Sequence, residues 1–271
     1  MVADFLLYAG QLLALTLGTF LVCGFAAWLA ERLFLALVGS GSSRVVYLSS
    51  LIGTPIHELG HALMCLLFAH KITEMHLLLP PNHPSGTLGY VSHSYHPKNL
   101  WARLGNLFIG LGPIFSGMGV MVLMLFLCFP EQWNAYVATS SALAFGESSL
   151  GEIAMGVISL LTSMPQAFAG ETWWIPTVGL VVILSVSQHV TLSGSDIKGA
   201  MTAMPWYLLL LLIFAGVTTA FGAQAAMLSG LWIFNLWLLS LYSIAIAFSC
   251  IWVVLGFAVF LLRLAARRTF R

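Results

Sequence analysis

Charged residues are scarce in this chain. Only 7% of its 271 residues are Asp, Glu, Lys or Arg, whereas 60% are hydrophobic. Because a soluble globular domain carries about 25% charged residues, the composition excludes one. The formal net charge of +1 argues against a nucleic-acid partner, which selects a strongly basic surface. The sequence therefore predicts an all-α polytopic membrane protein.

Other signals are missing as well. The four cysteines all lie in apolar runs and none pair at metal-ligand spacing, so they are predicted to be small buried hydrophobes. Alternating segments of about ten residues, typical of transmembrane barrels, are absent. The first residues lack a basic region and a small-residue cleavage site, so no removable signal peptide is predicted.

Long apolar runs are abundant. A helix needs about 20 apolar residues to cross a bilayer. The six spans predicted on this basis are 5–29, 45–69, 104–129, 173–192, 206–221 and 231–262. The segment 148–168 is predicted to be an interfacial helix, with a seventh span left open as the alternative.

The basic residues predict the topology. If the N-terminus is cytoplasmic, all of the ten Lys and Arg residues except Arg32 and Arg44 fall on the cytoplasmic side. Glu31 is then assigned to the first outer loop and both termini are cytoplasmic. The predicted regions are an N-terminal helix with its outer loop (1–44), a core (45–200) and a C-terminal helix pair with a basic tail (201–271).

The loop after the second predicted span differs from the rest. Runs 72–79 and 87–95 are bounded by Pro, Gly and Asn, which predicts two strands forming a small membrane-associated β-hairpin. The hairpin region contains five histidines, predicted to be solvated, with a second metal site as the alternative: His70, His76, His83, His93 and His96.

The stretch "HELGH" lies inside the second predicted span. Residues four apart share one face of a helix, so His57 and His61 can reach one metal ion with Glu58 beside them. An H-E-x-x-H helix is typical of zinc metalloproteases, in which the two histidines bind zinc and the glutamate activates a water. The alternative is a polar cluster that only hydrogen-bonds to neighbouring helices.

Catalytic zinc commonly has three protein ligands. Asp196, which follows the fourth predicted span, is the carboxylate expected at the depth of the two histidines, and we predict it as the third ligand. A helix cap is the alternative for Asp196. His189, seven residues earlier, is predicted either to hydrogen-bond a ligand or to be a satisfied core histidine.

Three segments in this order resemble the site-2 protease family of intramembrane zinc metalloproteases: "HELGH" at 57–61, "GLGPIFSG" at 110–117 and "SGSDIKGA" at 193–200. Ser116 stands where the family often has Asn, and Ile197 where it often has Gly. The resemblance implies a Zn²⁺ held by His57, His61 and Asp196, with Glu58 as the catalytic residue. It also implies a hairpin after the zinc helix.

The residues expected to hold the substrate come from two segments. Gly89, Tyr90 and Val91 lie in the second predicted strand, to whose edge an extended peptide could add. Gly112, Pro113 and Ser116 form the Gly-Pro segment of the resemblance.

The predicted function is hydrolysis of a peptide bond in or next to a transmembrane segment. The expected partners are a transmembrane protein or peptide substrate, the lipid bilayer and an accessory regulatory membrane protein. The expected location is a bacterial cytoplasmic membrane. The alternatives are a metal-ion or proton transporter, a non-catalytic membrane scaffold, and a zinc hydrolase of a small or lipidic substrate.

Overall fold

The computed structural model describes residues 2–39, 42–81, 83–84, 86–140 and 149–269. These residues form helices almost throughout. The helices are α1 (Val2–Leu13), α2 (Thr19–Val38), α3 (Ser42–Leu67), α4 (Leu100–Cys128), α5 (Pro130–Thr139), α6 (Leu150–Ser163), α7 (Trp174–Ser187), α8 (Gly194–Met201), α9 (Met204–Ala220) and α10 (Gln224–Thr269). A π turn, Ala14–Gly18, joins α1 to α2, so that Val2–Val38 forms one apolar helix of 37 residues.

Fewer helices can cross a membrane than the sequence predicts. Among the described residues, three helices are long and apolar enough: Val2–Val38, Leu100–Cys128 and Gln224–Ala266. A fourth arises if α8 and α9, which are bent by 50°, count as one span. Helix α7 has 14 residues, about 21 Å at 1.5 Å per residue, and the hydrocarbon core is about 30 Å thick. The six predicted spans are therefore not confirmed, whereas the helical membrane character is supported.

The segment predicted as interfacial is also helical. Ser149 and Glu152 form a capping box at the start of α6, and a short 3-10 helix, Met164–Ala169, follows α6. The predicted first residue, Ser148, lies outside the described residues. At 14 residues, α6 alone is too short to cross a bilayer.

A small two-stranded antiparallel sheet follows α3. Strand β1 (Lys71–His76) pairs with β2 (Tyr90–Ser94), with a register irregularity between Ile72 and Glu74. Both strands are shorter than the predicted runs. Ala69, whose φ is 58°, turns the chain out of α3 toward β1.

Glycines allow α4 to lie very close to three neighbouring helical segments. A Cβ on Gly112 would lie 2.6 Å from the Gly60 carbonyl oxygen of α3. A Cβ on Gly110 would lie 2.7 Å from the Asp196 carbonyl oxygen of α8, and one on Gly117 would lie 2.6 Å from Val190, just after α7. Small residues permit such close helix contacts. Helices α3, α7 and α8 are thereby gathered around the middle of α4.

Candidate metal centre

Two histidines and one aspartate converge between α3 and α8. His57 and His61 are one helical turn apart, and their Nε2 atoms lie 3.2 Å from each other. Asp196 faces both, with Oδ1 3.2 Å from His61 Nε2 and Oδ2 3.6 Å from His57 Nε2. Among the described residues these three form the one group of His, Cys, Asp or Glu arranged to hold a metal ion.

Backbone carbonyls determine which nitrogen of each imidazole faces the centre. His57 Nδ1 lies 2.7 Å from the His189 carbonyl oxygen, and His61 Nδ1 lies 2.7 Å from that of Ile109. A carbonyl oxygen only accepts, so each Nδ1 carries the proton and donates. In a neutral imidazole the Nε2 lone pair is then left for a metal. Both rings are therefore held in the tautomer that a ligand requires.

Both carbonyls are available for a local reason. The Ile109 carbonyl would normally accept from the backbone N–H four residues later, but that residue is Pro113, which has none. His189 lies just beyond the end of α7, where helix carbonyls have no partner within the helix. A proline and a helix end thus supply the acceptors that orient the two histidines.

Asp196 combines the two roles considered for it. As residue N3 of α8 it belongs to a capping box, in which the Ser193 backbone N–H donates to Asp196 Oδ2 at 2.7 Å. The Ser193 hydroxyl accepts from the Asp196 N–H at 3.2 Å. This box orients the carboxylate toward the imidazoles, so capping and metal ligation are compatible.

The spacing of the three donors fits a small cation. Zinc–nitrogen and zinc–oxygen bonds of about 2.0–2.2 Å at tetrahedral angles place ligand atoms roughly 3.3–3.6 Å apart. The three distances observed here are 3.2, 3.2 and 3.6 Å. Two lone pairs facing each other at 3.2 Å repel unless a proton or a cation lies between them. His57, His61 and Asp196 could therefore hold a metal ion.

The three donors open onto a cavity of about 620 Å³ that has both polar and apolar lining residues. Its described lining includes Glu58 of α3 and the segment Gly89–Val91 at the start of β2. Glu58 is only 6% exposed. A Cβ on Gly89 would lie 2.9 Å from Glu58 Cγ, so a glycine lets the β2 segment lie directly against Glu58. The predicted residues of β2 therefore share one cavity with the metal centre.

The three residues of the Gly-Pro segment that were expected to hold substrate lie outside the cavity, although Gly110 lines it. Gly112, Pro113 and Ser116 do not line the cavity; Gly112 contacts Gly60, and Ser116 donates to the Ile56 carbonyl oxygen at 2.8 Å. Their positions give them packing and positioning roles between α3 and α4. The geometry lends no support to their predicted contact with substrate.

His189 touches the centre through its backbone. His189 was predicted either to hydrogen-bond a metal ligand or to be a satisfied core histidine. Its backbone carbonyl oxygen accepts from the ligand His57, whereas its ring Nε2 lies 3.1 Å from Ser49 Oγ. A Cβ on Gly53 would lie 2.3 Å from the His189 ring. The side chain is thus packed against α3 while the backbone supports the ligand.

Glu31 is a cavity residue that sequence reasoning missed. It lies within α2 and not in an outer loop, and it lines the same cavity as Glu58 and Asp196. The prediction was wrong because the first span was ended at residue 29, whereas α2 continues to Val38. The sequence signal that could have identified Glu31 is its position between two apolar runs, which is unusual for an acidic residue.

The hairpin histidines are not uniformly solvated. His70 is 4% exposed, and its Nε2 donates to the Ala102 carbonyl oxygen at 2.7 Å. Its Nδ1 lies 2.8 Å from Nδ1 of His93, which lines the cavity. Burial lowers the pKa of His93, and the neighbouring His70 and His61 lower it further. The prediction of solvated histidines was therefore wrong for His70.

Comparison with known proteins leaves the centre to be interpreted from its own chemistry. No family model, no curated protein and no solved structure matches this chain.

Proposed function

We propose that this protein is a zinc-dependent intramembrane metallopeptidase that hydrolyses a peptide bond in or next to a transmembrane segment. One observation carries the proposal. Two imidazole Nε2 atoms and a carboxylate lie within bonding reach of one ion, and Glu58 lines the same cavity. Two His and one carboxylate, with a position left open, are the donors typical of catalytic zinc.

The protein's own groups have distinct tasks. His57, His61 and Asp196 would hold the ion, and the carbonyls of His189 and Ile109 keep both imidazoles oriented. When bound, zinc supplies Lewis acidity that polarises the scissile carbonyl and eases deprotonation of the attacking water. Glu58 accepts the proton of that water and delivers it to the departing amine.

The cavity also offers a way to hold an extended peptide. Among the described residues β2 pairs only with β1, so its second edge has backbone groups for a further strand. Gly89, Tyr90 and Val91 line the cavity at this strand. A substrate helix that unwinds next to Glu58 could recover its lost hydrogen bonds by adding to this edge.

The membrane setting completes the proposal. The three to four helices able to cross a membrane support a multi-pass protein, and the charge pattern supports cytoplasmic termini. We place it in a bacterial cytoplasmic membrane, with a transmembrane substrate and an accessory regulator as partners. This topology requires α3 to cross the membrane as well as Val2–Val38, so cysteines introduced at Asp4 and Lys98 should be labelled from the same, cytoplasmic side. Labelling from opposite sides would refute this topology.

The decisive experiment is Glu58→Gln. Glutamine has the size of glutamate but cannot accept the proton, so cleavage of a fluorogenic transmembrane peptide library should fall by roughly 10²- to 10⁴-fold. Zinc content, measured by atomic emission, should stay at the wild-type level because Glu58 is not among the three donors. Glu171→Gln, at an exposed carboxylate outside the cavity, is the matched control.

Each alternative function predicts another pattern. A scaffold or transporter would show no cleavage to lose in the wild type. Cleavage by the zinc-loaded Glu58→Gln variant at the wild-type rate would overturn the proposed mechanism.

A further inference from the structure

Glu31 is a third carboxylate in the lining of the cavity that also contains Glu58 and Asp196. It lies in the otherwise apolar helix α2, directly before Arg32, and its Oε2 accepts a hydrogen bond from Thr191 Oγ1 at 2.8 Å. Thr191 is two residues after His189, whose carbonyl orients His57. This connection brings the Glu31 carboxylate to the wall of the cavity that contains the metal centre.

Carboxylates are present in the described lining of this cavity without basic lysine or arginine side chains. The described lining contains three carboxylates, Glu31, Glu58 and Asp196, and neither lysine nor arginine. A divalent ion at the centre would offset two of the three negative charges. One negative charge would remain, and Glu31 is the lining carboxylate to which the proposed mechanism gives no role.

Within the described residues, no lysine or arginine nitrogen lies within 4.0 Å of the Glu31 carboxylate. The next residue in sequence, Arg32, is exposed and instead lies over the Trp28 ring, 5.6 Å from its centroid. Carboxylates within apolar membrane helices are costly unless they are paired, which favours a ligand that supplies the missing charge.

We propose that Glu31 selects substrates that present a lysine or arginine side chain next to the scissile bond. The inference rests on the proposed function, since it names the substrate class of the same site. Thr191 holds one oxygen of the carboxylate, and the other can accept a charge-assisted hydrogen bond from an ammonium or guanidinium group. Glu31 is thus a specificity residue and takes no part in the proton transfers assigned to Glu58.

A measurement of peptide binding tests this inference without requiring cleavage. The zinc-loaded Glu58→Gln protein in detergent serves as the parent. The probes are fluorescent Leu/Ala peptides, roughly 20 residues long, with one lysine at successive central positions or with norleucine in its place. At its best position the lysine peptide should bind the parent about tenfold more tightly than its norleucine twin, since a hydrogen bond to a charged group contributes at least that factor.

The second substitution isolates the charge. Adding Glu31→Gln keeps an oxygen that can accept from Thr191 but removes the charge, so the ratio of the two affinities should fall to about one. Adding Glu171→Gln instead should preserve the ratio of the parent. Zinc content and thermal unfolding of each protein report whether the centre and the fold are intact.

The outcomes separate the two proposals. Equal binding of the lysine and norleucine peptides by the parent, or an unchanged ratio after Glu31→Gln, would show that Glu31 only secures the segment at Thr191. A glutamate-bearing twin requires no second substitution and should bind the parent more weakly than the norleucine peptide. A wild type that binds lysine peptides selectively yet cleaves none would refute the peptidase function and leave the cation site standing.

Discussion

Replacing Asp196 by asparagine separates its role as a ligand from its role as a helix cap. An asparagine oxygen can still accept from the Ser193 backbone N–H, now 2.7 Å from Asp196 Oδ2, so α8 should keep its start. The amide NH₂ would then face His61 Nε2, which is 3.2 Å from the present carboxylate oxygen. That NH₂ can donate to the imidazole lone pair and compete with a cation for it. The fold should therefore persist while metal binding weakens.

The size of the loss follows from the number of donors. Structural zinc sites with four protein ligands bind with about 10–16 kcal/mol at neutral pH, or roughly 2.5–4 kcal/mol per ligand. Losing the carboxylate should thus raise the dissociation constant for zinc roughly 10²- to 10³-fold, since 1.4 kcal/mol is about a factor of ten. Competition with a chelator of known zinc affinity measures this constant in the purified protein.

A matched control is available because the chain has one other aspartate. Asp4 is exposed in the first turn of α1, so Asp4→Asn should leave zinc affinity unchanged. An Asp196→Asn protein that binds zinc as tightly as the Asp4→Asn protein would remove Asp196 from the ligand set. Loss of helix content in Asp196→Asn would instead show that the cap depends on the carboxylate charge.

Three further predictions follow from the helix contacts and the hairpin. Gly60→Ala should lower the free energy of unfolding by about 1–3 kcal/mol, because its Cβ would lie 2.5 Å from a backbone oxygen of α4. Gly119→Ala, which has open space around its Cβ, should leave stability unchanged. Equal thermal unfolding of the two variants in detergent would contradict this prediction. Pro113→Ala restores an N–H that competes for the Ile109 carbonyl, so zinc affinity should fall about tenfold, and an unchanged chelator titration would argue against that role. The pKa of His93 is lowered in the folded protein, so its contribution to stability is present above the ordinary pKa of 6.5 and is lost as pH falls toward the folded value. Hydrogen-exchange protection of β2, corrected for intrinsic rates, should therefore decline from neutral pH to pH 5, and it should decline less in His93→Asn. Identical pH profiles of the two proteins would show that His93 does not cause the decline.

The sequence by itself determined the local features. Helix periodicity places His57 and His61 on one face whatever surrounds them, because residues four apart are always neighbours on a helix. The scarcity of charge and the long apolar runs likewise predict apolar helices able to cross a membrane, since a helix satisfies its own backbone hydrogen bonds in lipid. Asp196 was predicted as the third ligand because it is the carboxylate expected at a depth in the membrane similar to that of the two histidines.

Span counting was less successful for a physical reason. Hydropathy reports how apolar a run is but not where its helix ends, so α2 was ended before Glu31. Helix α3, which was predicted to be a span, is not among the helices found long and apolar enough to cross, so that prediction is not confirmed. The small sheet was visible in the sequence because turn residues bound its strands. Its position against Glu58, through Gly89, was not visible.

The tertiary structure alone decided how the centre is assembled. The carbonyls that orient the two imidazoles come from His189 and Ile109, which are 132 and 48 residues away from their partners along the chain. Backbone acceptors carry no side-chain signature, so no residue pattern could name them. Glu31 reaches the cavity by a contact with Thr191 across 160 residues. Such contacts depend on how helices pack, and packing is set by close approaches such as Gly60 against Gly112, which hydropathy and spacing do not encode.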